Sequence, residues 1–251
     1  MVALGVVGGS GGVGASTLAC ALGVAAARLG MRAAVLDGAA EGGGVQVTAG
    51  VEHLPGHRWA DLIEIDGSLD GDRLRAELPA IGECVFVSAG IGPTSPLGMP
   101  DEVSAVALRS VFMALAECSD LLILDWGRAG EPVGVTSGRE REPDTILLAQ
   151  VSARGLADAQ VWVHRHPCVR LAGVVTRSER RDPTLAESVA ESMSLPLLGC
   201  LPDERSVRRA ADSGLAPGAS RGALHRLAEQ LVLAALSELA VPDRGAVAAR
   251  R

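Results

Sequence analysis

Residues Gly8 to Thr17 read GGSGGVGAST, a run that crowds backbone N–H groups together with almost no side chain to cover them. Placed between a strand and a helix, such a loop aims those donors and the positive end of the helix dipole at one point, which suits a phosphate. Two templates fit. Gly9, Gly11 and Gly14 satisfy G-x-G-x-x-G, and Asp37 follows about twenty residues later at a strand end, as a dinucleotide fingerprint requires. Gly9 to Ser16 also satisfies G-x-x-x-x-G-x-S, a phosphate-cradling loop with Ala15 in the lysine position. Ser16 and Thr17 favour the second template, because a hydroxyl directly after the loop takes Mg²⁺ beside a nucleotide, a use the dinucleotide fold does not have. The plain alternative is two hydroxyls capping a helix.

The elements that must position this loop are legible as apolar runs. Ala3 to Val7, Arg32 to Leu36, Cys84 to Val87, Leu121 to Leu124, Ile146 to Val151 and Leu171 to Val175 are continuous rather than alternating, as strands covered on both faces must be. Helical stretches follow most of them: Ser16 to Leu29, Glu102 to Glu117, Ala153 to His164, Leu185 to Met193, Glu204 to Ser213 and Arg221 to Leu239. The alternation predicts an α/β fold, a doubly wound, mostly parallel sheet with helices on both faces. Gly90 to Pro100 and Ala129 to Asp144, with its charge run Arg139 to Glu142, read as solvated loops, and residues 242–251 as a disordered tail behind one domain of residues 1–241.

The chain has 251 residues, 48% of them hydrophobic, enough for one sizeable core. A formal net charge of -7 argues against a nucleic-acid partner. All 23 basic residues are arginine. The five cysteines are odd in number, scattered and without a C-x-x-C pair, which fits a reduced cytoplasmic setting and buried, bland roles. No apolar run reaches the length of a membrane span.

These residues carry a resemblance. GGVGASTLA is similar to the deviant Walker A loop, KGGxGK[ST]T, of the MinD/ParA superfamily, and resembles most its CpaE/TadZ pilus-assembly branch, in which the second lysine is often alanine. VLDGAAEGGGVQVTAGVEHLPGHRWADL (Val35 to Leu62) resembles actinobacterial members described as septum-site-determining proteins. DLLILDWG (Asp120 to Gly127) looks like the Walker B and switch II strand, and GVVTR with LPLLGCLPDE (Gly173 to Arg177, Leu195 to Glu204) like the adenine-proximal end. The resemblance implies a P-loop NTPase fold and an ATP or ADP site with Mg²⁺ as its one cofactor. Gly9, Ser10, Gly11, Gly12, Val13, Gly14, Ala15, Ser16 and Thr17 would surround the phosphates, and Thr176, Pro202 and Asp203 the base. Ser16, Asp37 and Asp125 would face the metal, with Asp37 and Asp125 the candidate catalytic acids.

The departures matter as much. Ser10 stands where the family has its signature lysine, Ala15 where the in-cis lysine meets the β- and γ-phosphates, Ala39 where a second aspartate orients water, and Thr176 where an asparagine meets adenine. Trp126 and Gly127 replace the usual switch II sequence. Phosphoryl transfer is largely positioning and charge neutralisation, so two absent ammonium groups predict at most a slow ATPase. Arg128 or Arg177 could approach from the rim.

The resemblance implies a localisation or assembly factor for a Tad/Flp-type pilus or secretion system, or a septum-site regulator, recruited to the pole or septum through pilus, secretion or division proteins. It leaves a homodimer open, and it implies that the receiver-like amino-terminal region of relatives is missing here. A slow ATPase using a non-lysine cation and a dinucleotide-dependent oxidoreductase are the competing classes. His53 to Trp59 forms a patch whose tryptophan is either a partner anchor or packing. His164, His166 and Cys168 lie close together without a complete metal-ligand pattern. The last helix has an apolar stripe of Leu224, Leu227, Leu231, Ala234, Ala235 and Leu239 but no basic face, so it is expected to pack on the sheet, with membrane contact absent or indirect.

Overall fold

β1 (Val2–Gly8) is buried from Leu4 onward and α1 (Ala15–Arg28) follows it directly. Both elements are apolar on every side, because both lie inside the molecule. The structure is a computed structural model and describes residues 1–38, 44–62, 69–88, 101–127 and 143–240, side chains of 101–105 and 238–240 excepted. Ala39, Arg128, the Arg139 to Glu142 charge run, the Gly90 to Pro100 loop and the tail expected at 242–251 lie outside the described residues.

After α1 come β2 (Ala33–Asp37), α2 (Gly44–Ala49), α3 (Trp59–Leu62), α4 (Gly71–Ala76), β3 (Ala80–Ile81), β4 (Cys84–Val87) and α5 (Asp101–Cys118). Next are β5 (Leu121–Asp125), β6 (Asp144–Gln150), α6 (Ala153–Arg165), β7 (Leu171–Ser178), α7 (Pro183–Ser192), β8 (Leu197–Pro202), α8 (Arg205–Asp212) and α9 (Ala223–Ala240). The strands form one sheet in the order β3-β4-β2-β5-β1-β6-β7-β8, parallel except for the β3–β4 edge pair. The expected doubly wound fold is therefore present. In the dinucleotide-binding order the first two strands are neighbours; here β5 separates them, and the oxidoreductase alternative loses its scaffold.

Two cores sandwich the sheet. One joins α1, α2 and α9 to the inward residues Leu4, Val6, Val35, Phe86, Ile123 and Ile146. The other joins α4 to α7 to Val7, Leu36, Val87, Leu122, Leu124 and Leu147. A fully buried leucine or valine of this kind contributes about 1.5–3 kcal/mol by leaving water. The stripe of α9 packs inward as expected, with Leu224, Leu227 and Leu231 buried, but Ala234 is exposed and does not belong to it.

Sequence periodicity did not anticipate α2, α3, α4 or β3, which are too short for a pattern to emerge, nor β8, whose residues are mostly half-buried at the edge of the sheet. Cys20, Cys84 and Cys118 are buried as expected, whereas Cys168 is exposed and Cys200 half-buried, because they sit in a surface turn and on that same edge strand. No helix among the described residues is long and apolar enough to cross a membrane.

Candidate nucleotide site at the phosphate loop

The loop from Gly9 to Gly14 is anchored at its base and open at its crown. Gly8 N–H donates to the Gly127 carbonyl (2.8 Å) and Gly9 N–H to the Leu148 carbonyl (2.8 Å). A side chain on Gly9 would strike Ala159 of α6 at 2.8 Å, so glycine here lets helix and loop touch. Ser10 is half-buried, and Gly11 and Gly12 are exposed. Gly14 ends the loop as the residue before α1, with φ 102 and ψ 28 and no side-chain cap. The first amides of α1 therefore have no capping side chain from that position, the donor arrangement an anion uses. Ala15, in the lysine position, is 7% exposed and its methyl packs into the core with Val13 and Leu18. Ser16 and Thr17 are half-buried in the first turn behind it.

Below the loop two acids meet. β2 and β5 run parallel with Asp37 directly opposite Asp125, and the two are 4% and 1% exposed. The Ser16 hydroxyl donates to Asp125, whose Oδ1 also accepts the Gly127 N–H (3.0 Å). Burial pushes the Asp125 carboxyl up from 3.8 to about 6; the Ser16 bond opposes the rise, the neighbouring Asp37 charge adds to it, and the Gly127 amide opposes it. Two buried carboxylates side by side with a hydroxyl are hard oxygen donors suited to Mg²⁺. Thus the sheet order brings the loop, Ser16, Asp37 and Asp125 to one end of the molecule.

Asp37 is also a structural hub. Its Oδ2 accepts the Val45 N–H (3.0 Å) and the Ser88 hydroxyl (2.8 Å), and its backbone carbonyl accepts Trp59 Nε1–H (2.8 Å). Gly44, at φ 68, lies so close that a Cβ there would sit 2.5 Å from Asp37 Oδ2. Gly44→Ala is therefore expected to lower stability by about 2 kcal/mol through positive-φ strain and collision. Urea denaturation of the purified variant measures it, and an unchanged midpoint would refute the close packing. Ser88 and Gly44 escaped sequence reasoning; only the glycine-dense run before Val45 signalled a tight approach.

Trp59 is 9% exposed and belongs to the core, and the Arg58 beside it ties down its own turn, donating to Gln46 Oε1 (2.6 Å) and the Leu54 carbonyl (2.9 Å). Trp59 is thus packing and not an exposed anchor, while His53, Pro55 and Gly56 of the same patch are exposed. His166 stacks on Trp162 at 4.4 Å, and no group of three metal-binding side chains exists among the described residues, so the His164, His166 and Cys168 cluster stays incomplete. Trp126 is 2% exposed under Gly38 and Gly5, whose missing side chains make room for its ring.

The residues expected to meet the base lie at the ends of β7 and β8. Thr176 is 1% exposed and its hydroxyl donates to the Gly199 carbonyl (3.5 Å) within the sheet. Pro202 closes β8. Asp203 accepts Arg177 Nε–H (2.6 Å), while Arg177 Nη1–H reaches the loop carbonyls of Gly12 (3.1 Å) and Val13 (2.9 Å).

A family model described as CbiA, the CobQ/CobB/MinD/ParA nucleotide binding domain, matches residues 4–217. The chain belongs to this family. The CobQ/CobB/MinD/ParA chain shares its fold with a ParA family ATPase from Chlorobium tepidum (TM-score 0.74, 14% identity, covering 92% of this chain and 98% of that one). It also matches the septum site-determining protein MinD of Pyrococcus horikoshii, complexed with Mg-ADP (TM-score 0.63, 18% identity, 96% and 99% covered). A third neighbour is the MinC:MinD cell division protein complex of Aquifex aeolicus (TM-score 0.66, 15% identity, 97% and 99% covered). At such identities the likeness is one of fold. Two uncharacterized proteins of Mycobacterium tuberculosis are 43% identical over 74 residues, 30% of this chain and 20% of theirs. The match spans about a fifth of the length of these curated relatives.

Proposed function

We propose that this MinD/ParA-family chain, read as one domain over residues 1–241, holds ATP or ADP with Mg²⁺ mainly through backbone donors, and hydrolyses it slowly or not at all. On this reading it serves as a cytoplasmic localisation or assembly factor of the CpaE/TadZ type. It would act for a Tad/Flp-type pilus or secretion apparatus or as a septum-site regulator, recruited to pole or septum, with a homodimer as its nucleotide-dependent form. The observation that carries the reading is the open glycine loop above the Ser16 hydroxyl bonded to a buried Asp125, with serine and alanine at residues 10 and 15. Gly11, Gly12, Val13 and Gly14 would cradle the phosphates, Ser16 would meet Mg²⁺ with Asp125 behind it, and Asp37 would add its charge. The bound Mg²⁺ would neutralise phosphate charge.

Calorimetry with Mg-ADP and Mg-ATP, beside light scattering, tests this. The expected result is a Kd on the order of 1–100 μM, about −8 to −5 kcal/mol, weakened at least several-fold by EDTA. No heat at millimolar nucleotide would defeat the nucleotide reading and leave a nucleotide-blind adaptor. A second reading, a slow ATPase using a non-lysine cation, gains from one observation: the Arg177 guanidinium lies against the loop, although nucleotide would have to free it from the Gly12 and Val13 carbonyls. Steady phosphate release that disappears in Asp125→Ala would favour it.

A further inference from the structure

Arg177 is the one described arginine hydrogen-bonded to the phosphate loop, and its grip is on the loop's carbonyls. Nη1–H is shared between the Gly12 carbonyl at 3.1 Å and the Val13 carbonyl at 2.9 Å. On its other side Nε–H donates to Asp203 Oδ1 at 2.6 Å, and both side chains are about three-quarters buried. The assembly is fixed from behind: the Arg177 carbonyl accepts Val151 N–H (2.8 Å), and the Asp203 N–H donates to the Ser178 carbonyl (2.8 Å). Two neighbouring strand ends, β7 and β8, thus hold one planar cation against the loop. Glycine at residue 14 leaves the guanidinium room, since a Cβ would lie 3.2 Å from Arg177 Nη1.

The consequence follows from peptide geometry. In a trans peptide the C=O and the next N–H point in opposite directions. Drawing the carbonyls of Gly12 and Val13 toward Arg177 therefore turns the N–H groups of Val13 and Gly14 away from it. Successive amides aimed one way form an anion-binding concavity. A family loop with a lysine can attract phosphate by a mobile ammonium group; this one depends on how its amides are aimed.

We propose that Arg177, oriented by Asp203, is the positioning residue that shapes the phosphate loop, so that Asp203 serves the phosphate end of the site through Arg177 rather than the base. The ligand class is a magnesium-bound di- or triphosphate, and this inference rests on the nucleotide reading above for its ligand, though not for the loop contact.

The test uses the full chain with Arg177→Met, which keeps the stem and removes every donor, Asp203→Asn, which keeps the shape, and the double variant. Hydrogen–deuterium exchange without ligand is followed over residues 10–15 and, as a control for overall folding, over 121–125. Calorimetry uses Mg-ADP and Mg-pyrophosphate, the second having no base. Arg177→Met is expected to speed exchange in the loop about tenfold, the scale of a charge-assisted hydrogen bond, and to leave 121–125 protected. Asp203→Asn is expected to act in the same direction, and the double variant to match Arg177→Met, because Asp203 acts through Arg177. Affinity is expected to fall about tenfold for both probes alike. Unchanged loop exchange in Arg177→Met overturns the inference, and so does a loss confined to Mg-ADP, which would assign the pair to the base. If the unmodified protein binds neither probe, the nucleotide reading falls and the exchange result alone decides the role of Arg177.

Discussion

Ala15→Lys is expected to raise phosphate release from Mg-ATP by about 10²–10³-fold. Charge on the transferring phosphoryl oxygens must be met by cations in the transition state, and one such contact is worth on the order of 10³ in rate, about 4 kcal/mol. The unmodified loop offers neutral donors, and its nearby Arg177 is already engaged with Asp203 and two carbonyls. Residue 15 is 7% exposed, so the new stem would lie along apolar surface and carry its ammonium outward to the loop, as lysine does when its base is buried. Measuring release under single-turnover conditions separates the chemical step from product loss. A variant that binds Mg-ATP yet turns over no faster would show that the missing ammonium is not what limits this site.

Asp125→Asn is expected to stabilise the ligand-free protein at pH 8 by on the order of 3 kcal/mol while removing most of the benefit of Mg²⁺. The Asp125 carboxyl is raised from 3.8 to about 6, chiefly by burial. A raised acid favours the folded state while it carries its proton. Its contribution is therefore complete below about pH 4, fades as pH climbs through 6, and is gone above about pH 7. Asparagine carries no charge to bury, so the two proteins should diverge between pH 4 and 6 and keep a constant difference above pH 7. Urea denaturation across that range, with and without Mg²⁺, checks the sign. An Asn variant less stable than the parent at pH 8 would mean that the hydrogen bonds from Ser16 and Gly127 outweigh the buried charge.

The parallel sheet could be read in advance because strands such as Leu121 to Leu124 are apolar on both faces, a pattern that survives without knowledge of neighbours. The loop could be read because its glycines and the two hydroxyls after them are contiguous. Thr176 shows where that kind of reading stops: its partner could not be read from the motif, and the register of β7 against β8 places its hydroxyl on Gly199. Trp59 was ambiguous for the same reason, since burial is a property of what packs on top, and here its indole N–H is satisfied by Asp37.

What the sequence determined by itself was local: a strand, a cluster of amides, a helix start, and serine and alanine rather than lysine at residues 10 and 15. What only the tertiary structure decided was pairing. Asp37 and Asp125 meet because β5 enters between β1 and β2, and Arg177 reaches Val13 across 164 residues because β7 and β8 end beside the loop. Hydrogen bonds and charge act over a few ångströms of space, so partners far apart along the chain become visible only once the sheet order brings them together.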